Sequence, residues 1–171
     1  MPAGARQLDG HHVGERLGEA MPGAVVATTD EWVEVAPARV AAVLQWLHDD
    51  GEFDAAQLSN LCAVDRHDRF EVVYHLQSLD QNHQLVVKVA LDDHDEPSVP
   101  SVYDVYTGAL LQEREVYDLM GVRFDGHPDL RRLFLWEGFP GHPLRKDFMQ
   151  VEGHHPGLPG FPYEQPDQPV R

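Results

Sequence analysis

The sequence predicts an α+β fold, an antiparallel sheet with helices packed on one face, followed by an extended, irregular C-terminal arm. Three observations carry this expectation. Apolar residues alternate through 70–79 and 84–91, with short polar turns at 65–69 and 80–83. Before and after that block apolar residues recur at helical spacing. Beyond Gly121, Gly and Pro crowd a stretch with little periodicity. The chain of 171 residues is expected to form one globular domain over 1–121, with 122–171 as the arm.

Taken in order, residues 1–10 read as loose chain. Val13, Leu17 and Met21 mark a short amphipathic helix that Pro22 and Gly23 stop. Residues 24–35 read as one or two strands around a turn at Asp30. Pro37 opens a helix running to about Asp50, with Val40, Leu44 and Leu47 on one face and Gly51 as its stop. Strands are expected over 57–64, 70–79 and 84–91, and the acidic run 92–96 ends the sheet. Ser101 to Asp104 has capping-box spacing and predicts a helix start there. Gly108 should break it before a second helix over 109–120. Fifty irregular residues after that point need something to lie on, which implies a partner.

Composition narrows the function classes. Hydrophobic content of 42% and charged content of 25% are ordinary for a globular protein. No run is apolar enough to span a bilayer, and the N-terminus has no secretory pattern, so membrane contact is expected to be indirect. The one cysteine, Cys62, fits a reducing compartment and reads as a plain buried thiol. A net charge of −16 argues against a nucleic-acid binder. Residues 113–147 hold six of the thirteen bases and seven of the twenty-nine acids, so this window nets −1 while the rest carries −15. A near-neutral segment on an acidic body is a plausible footing for docking.

On the 109–120 helix, Ala109, Glu113, Val116 and Met120 share one sector, which places Glu113 within the apolar stripe. A buried carboxylate needs a partner, and Arg131 or Arg132 are the local candidates. The alternative is a rotated helix with Glu113 solvated. Arg114, Glu115 and Asp118 point to other sides. After Gly121 come His127-Pro128-Asp129-Leu130-Arg131-Arg132 and then Gly141-His142-Pro143-Leu144-Arg145-Lys146-Asp147-Phe148. Each proline holds the preceding histidine extended, and each motif then presents bases suited to carboxylates.

The run from Glu113 to Val122, with both His-Pro motifs in order, resembles the respiratory-chain NADH dehydrogenase 30 kDa subunit family, whose bacterial members are the C subunits of complex I. Close resemblance spans about 36 residues, and the stretch Leu135-Trp136-Glu137-Gly138-Phe139-Pro140 is less acidic than in many members. The resemblance implies a peripheral-arm subunit of a proton-translocating NADH:quinone oxidoreductase, on the cytoplasmic face of the plasma membrane. It implies no cofactor in this chain, with FMN and iron–sulfur clusters in partner subunits. It implies contact with the D (49 kDa-like) subunit and neighbouring B and I-type subunits, with NADH and quinone reached only through the complex. One cysteine cannot ligate a cluster, and no glycine-rich dinucleotide turn is present.

Arg131, Arg132, Arg145 and Lys146 are expected to contact the partner or, alternatively, to form an internal ion-pair network with Glu113 or Glu115. Two rival functions stand beside this one. An equivalent subunit of a membrane-bound hydrogenase, formate hydrogenlyase or ferredoxin-dependent complex has the same architecture. A free-standing metalloenzyme is suggested by eleven histidines, including His11-His12, His127, His142 and His154-His155, yet none has zinc-hydrolase spacing.

Overall fold

The computed structural model describes residues 4–148. Strand β1 (Arg6–Gln7) precedes helix α1 (Gly10–Ala20), whose first turn is capped when the Asp9 side chain accepts the His11 N–H. The hairpin β2 (Val25–Thr28) and β3 (Val33–Val35) follows. Pro37 then starts a 3₁₀ turn that runs into α2 (Val40–Asp49). Strands β4 (Gln57–Asp65), β5 (Phe70–Ser78) and β6 (His83–Leu91) form an antiparallel meander. After β7 (Ser98–Pro100) come α3 (Ala109–Met120) and β8 (Arg123–Asp125).

The large sheet has the order β2-β3-β6-β5-β4. Its centre is antiparallel as expected, but β3 and β1 each run parallel to β6, so the sheet is mixed. Helix α2 lies between β3 and the meander in sequence. The last meander strand, β6, therefore returns beside β3 in the same direction. Residues 6–7, read as loose, instead complete the β6 edge past β3, with Leu8 N–H donating to Gln84 O at 2.8 Å.

Period-2 patterning puts Phe70, Val72, Tyr74 and Leu76, and Leu85, Val87, Val89 and Leu91 on one face, and a register shift between Leu58 and Asn60 brings Leu58 and Leu61 to it as well. Val13 and Leu17 of α1, Val43, Leu44 and Leu47 of α2, and Ala109 and Val116 of α3 share that single core. The helices thus pack on one face, as predicted. Each large apolar side chain buried this way contributes roughly 1.5–3 kcal/mol.

The capping-box reading of residues 101–104 fails. Turns occupy that stretch, and Ser101 Oγ accepts the Tyr103 N–H while donating its own proton to Glu113. The same serine chemistry that caps helices here closes a local turn and serves a distant carboxyl. Helix α3 spans the expected residues and ends on Gly121, whose φ of 78° is the left-handed cap glycine allows. β7 and β8 pair in parallel as a small second sheet beside it.

Candidate functional site

The residues singled out in 113–147 converge on α3 and the chain that follows β8. Glu113 is fully buried, as its place in the apolar stripe predicts. Its partners are not arginines. Ser101 Oγ donates to Oε2 at 2.6 Å, Val102 N–H donates to Oε1 at 2.7 Å, and His127 Nε2 lies 3.9 Å from Oε2. Burial raises the Glu113 carboxyl above its ordinary value, against the opposing pull of these three groups. The His127 ring is the Nε2–H tautomer by its bonding: Nε2 donates to Leu110 O at 3.0 Å, while Nδ1 accepts the Asp129 N–H at 3.0 Å. The first His-Pro motif thereby fastens the chain after β8 to the start of α3.

Asp118 is also fully buried, although the helical projection put it off the core face. The chain beyond β8 folds back and covers that side. Its Oδ2 accepts three consecutive backbone N–H groups, from Leu133 at 2.9 Å, Phe134 at 2.7 Å and Leu135 at 2.9 Å. Arg132 Nη1 donates to Oδ1 at 3.0 Å. Burial alone would push this carboxyl up, but the three N–H groups and the guanidinium more than offset it and hold it below the usual aspartate range. The turn is an anion nest that encloses a carboxylate of its own chain.

Arginines complete the fastening by donating to carbonyls. Arg114 reaches Arg131 O at 3.0 Å and Arg132 O at 2.9 Å; Arg132 Nη2 reaches Phe139 O at 2.9 Å and Gly141 O at 3.0 Å. In the second His-Pro motif, His142 Nδ1 bonds Asp118 O at 3.0 Å, and Leu144 N–H donates to Leu119 O at 3.0 Å. The imidazole lies against Gly121, where an added Cβ would meet His142 Cδ2 at 2.6 Å. Burial lowers the His142 ring below its usual value.

A third anchor was not anticipated. Asp65, at the end of β4, is buried and accepts Lys146 N–H at 2.9 Å, His67 N–H at 2.7 Å and His94 Nε2–H at 3.2 Å. Burial opposes the charge, but these donors leave its carboxyl below the ordinary range. Arg145 stands over the Phe70 ring, 5.1 Å from its centroid, and donates to His94 O and Nδ1. Nothing in the spacing of Asp65 and His94 marks them; only the hairpin turn beginning at Asp65 hinted at a side-chain bond there.

Neither Glu113 nor Glu115 accepts an arginine: Arg132 pairs with Asp118, Arg131 and Arg114 with Asp129, and Arg145 with Asp147. Glu115, Pro128 and Lys146 are exposed, and Pro143 is half-buried. On this fastened segment large apolar side chains face outward, Phe134 at 64% and Leu144 at 57% exposure. Among the described residues no three His, Cys, Asp or Glu side chains form a metal-ligating group. His154 and His155 lie outside the described residues, as does the arm beyond residue 148. Among the described residues no helix is long and apolar enough to cross a membrane.

The family described as respiratory-chain NADH dehydrogenase, 30 kDa subunit, matches residues 33–154. The C subunit of the NADH-quinone oxidoreductase of Roseiflexus sp. (strain RS-1) is 44% identical over 147 residues, covering 82% of this chain and 84% of the relative. Its namesake from Maricaulis maris (strain MCS10) is 44% identical, covering 84% of this chain and 72% of the relative. Among solved structures, a chain of the membrane-bound sulfane sulfur reductase, an archaeal respiratory membrane complex, aligns with a TM-score of 0.65 at 25% identity. That alignment covers 82% of this chain and 86% of the other.

Proposed function

The chain belongs to the respiratory-chain NADH dehydrogenase 30 kDa subunit family, and from that premise we propose that it scaffolds the quinone-reducing module of its complex without a cofactor of its own. It is a complex I 30 kDa-type subunit of NADH-quinone oxidoreductase. In this reading it binds the D (49 kDa-like) subunit, with B and I-type subunits nearby, on the cytoplasmic face of the membrane. FMN and iron–sulfur clusters sit in partner subunits of the complex, and the arm that begins at residue 122 docks through its part beyond β8, because Val122 and Phe124 belong to the core.

One observation carries the reading. Phe134 and Leu144 are mostly exposed on backbone that Asp118, Arg114 and Arg132 hold in place. Apolar side chains displayed on ordered backbone lower the entropy cost of docking, because little remains to be frozen at the interface. In this role the half-buried Arg114, Arg132 and Arg145 act behind the surface by shaping it. Lys146 and Arg131 are exposed, Arg131 beside Asp129 of its own chain, and both stand where a partner's carboxylates would meet them.

Co-purification tests this. The tagged chain should retain a D-type subunit, and Phe134→Asp with Leu144→Asp should lose it while the isolated variant melts as the parent does. Retention of that subunit by the double variant would remove the arm surface from the interface.

The likeness to a chain of the sulfane sulfur reductase favours a second reading. There the chain occupies the equivalent place in a hydrogenase, formate hydrogenlyase or ferredoxin-dependent complex. The same co-purification decides: a retained large subunit with paired Cys motifs selects the second reading.

A further inference from the structure

The three helices cover one face of the large sheet, and the opposite face is unlike the rest of the surface. Register places Gln57, Gln77, Gln84 and Gln7 in one row across four strands of that face. A neighbouring row holds Cys62, Val73 and Lys88, with Glu34 beside Lys88. Val73 is only 7% exposed although it alternates away from the helix-covered face. Between the rows is a depression of about 240 Å³ lined by His75, Gln84 and Val86, among others.

Charge sets this face apart. On a chain of net −16, its charges are few and of both signs: Glu34 stands in register with Lys88, whose ammonium lies over the Trp32 ring, and Glu71 pairs with Arg66 at 2.9 Å. The centres of protein interfaces are marked by depletion of charge more than by bulk hydrophobicity. A charge-balanced face with amides, aliphatic side chains and a shallow depression has that composition.

We propose that this outer sheet face is an interface distinct from the arm, and that its occupant is an uncharged surface of amide and aliphatic side chains on a neighbouring subunit. The inference rests on the chain's being a subunit of a larger complex. Nucleic acid and anionic lipid both need a cationic excess that the face lacks. A second copy would bring together two bodies that each carry −16.

Cys62, the chain's one cysteine, lies half-buried on this face and reports on its coverage. The intact complex and the isolated full chain are treated with N-ethylmaleimide under native conditions, and Cys62 alkylation is followed by mass spectrometry. A stable contact should slow alkylation by about tenfold or more, because labelling then requires undocking. Equal rates overturn the proposal. So does a Cys62 already protected in the isolated monomer, which would mean that the chain's own residues cover the face. Protection that arises only on self-association, seen by size exclusion, overturns the hetero-partner.

As a second arm, Val86→Glu with Gln77→Glu should fold with an unchanged melting temperature and fail to enter the complex in competition with the parent. Full incorporation overturns the proposal. Failure of the underlying family reading looks different, since the parent chain would then enter no complex at all.

Discussion

Helix α3 carries two fully buried carboxyls five residues apart, and their surroundings treat them in opposite ways. Glu113 faces the core with a hydroxyl, one N–H and, 3.9 Å away, the His127 ring, and burial lifts its proton affinity. Asp118 faces the refolded C-terminal chain with three N–H groups and a guanidinium, and is held ionised. Neither carboxyl touches solvent, but Glu113 lies deeper among protein atoms, whereas Asp118 has more donors, one of them charged. Glu113 ties α3 to Ser101 and Val102 after β7; Asp118 gathers the segment that displays the proposed docking surface.

The largest effect should follow from breaking the charged site. Asp118→Ala takes the carboxylate from Arg132, which keeps its bonds to the Phe139 and Gly141 carbonyls, and leaves three N–H groups unmatched, at about 1–3 kcal/mol for each group left buried without a partner. The melting temperature should fall steeply, and limited proteolysis should open the chain near 131–144. A variant with the parent's melting temperature would show that the nest contributes nothing. Asp118→Asn, which keeps an acceptor but not the charge, should fall between the two.

Gly121→Ala tests whether the two regions are joined through His142. The substitution forces a side chain onto a φ of 78° and drives its Cβ into the imidazole that holds Asp118 O. Strain of about 1–3 kcal/mol is expected. Arm proteolysis should rise with it, while the Glu113 site keeps its bonds. Destabilisation without arm opening would separate the cap from the arm.

Glu113 should be more forgiving. Glu113→Gln preserves shape and an acceptor for Val102 N–H, and the change in stability should stay under about 1 kcal/mol. Glu113→Ala leaves that buried N–H unmatched and should cost about 1–3 kcal/mol. Thermal melts of the pair compare them directly. Equal losses would mean that shape does not matter at this site.

How much of this was legible in sequence follows from the kind of interaction. The α3 bounds and the burial of Glu113 came from helical periodicity, and the meander from alternation. The Glu113 partners were hidden because Ser101 imitated a helix cap and Val102 contributes only backbone. Asp118 was placed off the core because its cover is an irregular segment, and N–H donors at 133–135 leave no trace in residue identity. The parallel β3–β6 pairing depends on a crossover, which local patterning does not encode.

Acid–base titration of stability gives the smallest and most discriminating comparison. Glu113 is raised above its ordinary 4.5, so just above that pH the folded chain holds a proton that the unfolded chain has released. Stability must then decline as pH rises from 4.5 through the folded value, with a limiting slope of about 1.4 kcal/mol per pH unit. Asp118 and Asp65 are lowered below 3.8, so their stabilisation is present above that pH and is lost as pH falls through the folded values. His142, lowered from 6.5 by burial, adds a slope opposite to that of Glu113 below 6.5, because there the unfolded ring binds the extra proton. The raw profile therefore mixes signs, and the difference between the parent and Glu113→Gln isolates one of them. Denaturant melts across pH 3 to 8 should show that the variant loses the decline above 4.5 and keeps the acid limb. An unchanged decline would assign it to another group and end the contrast between the two carboxyls.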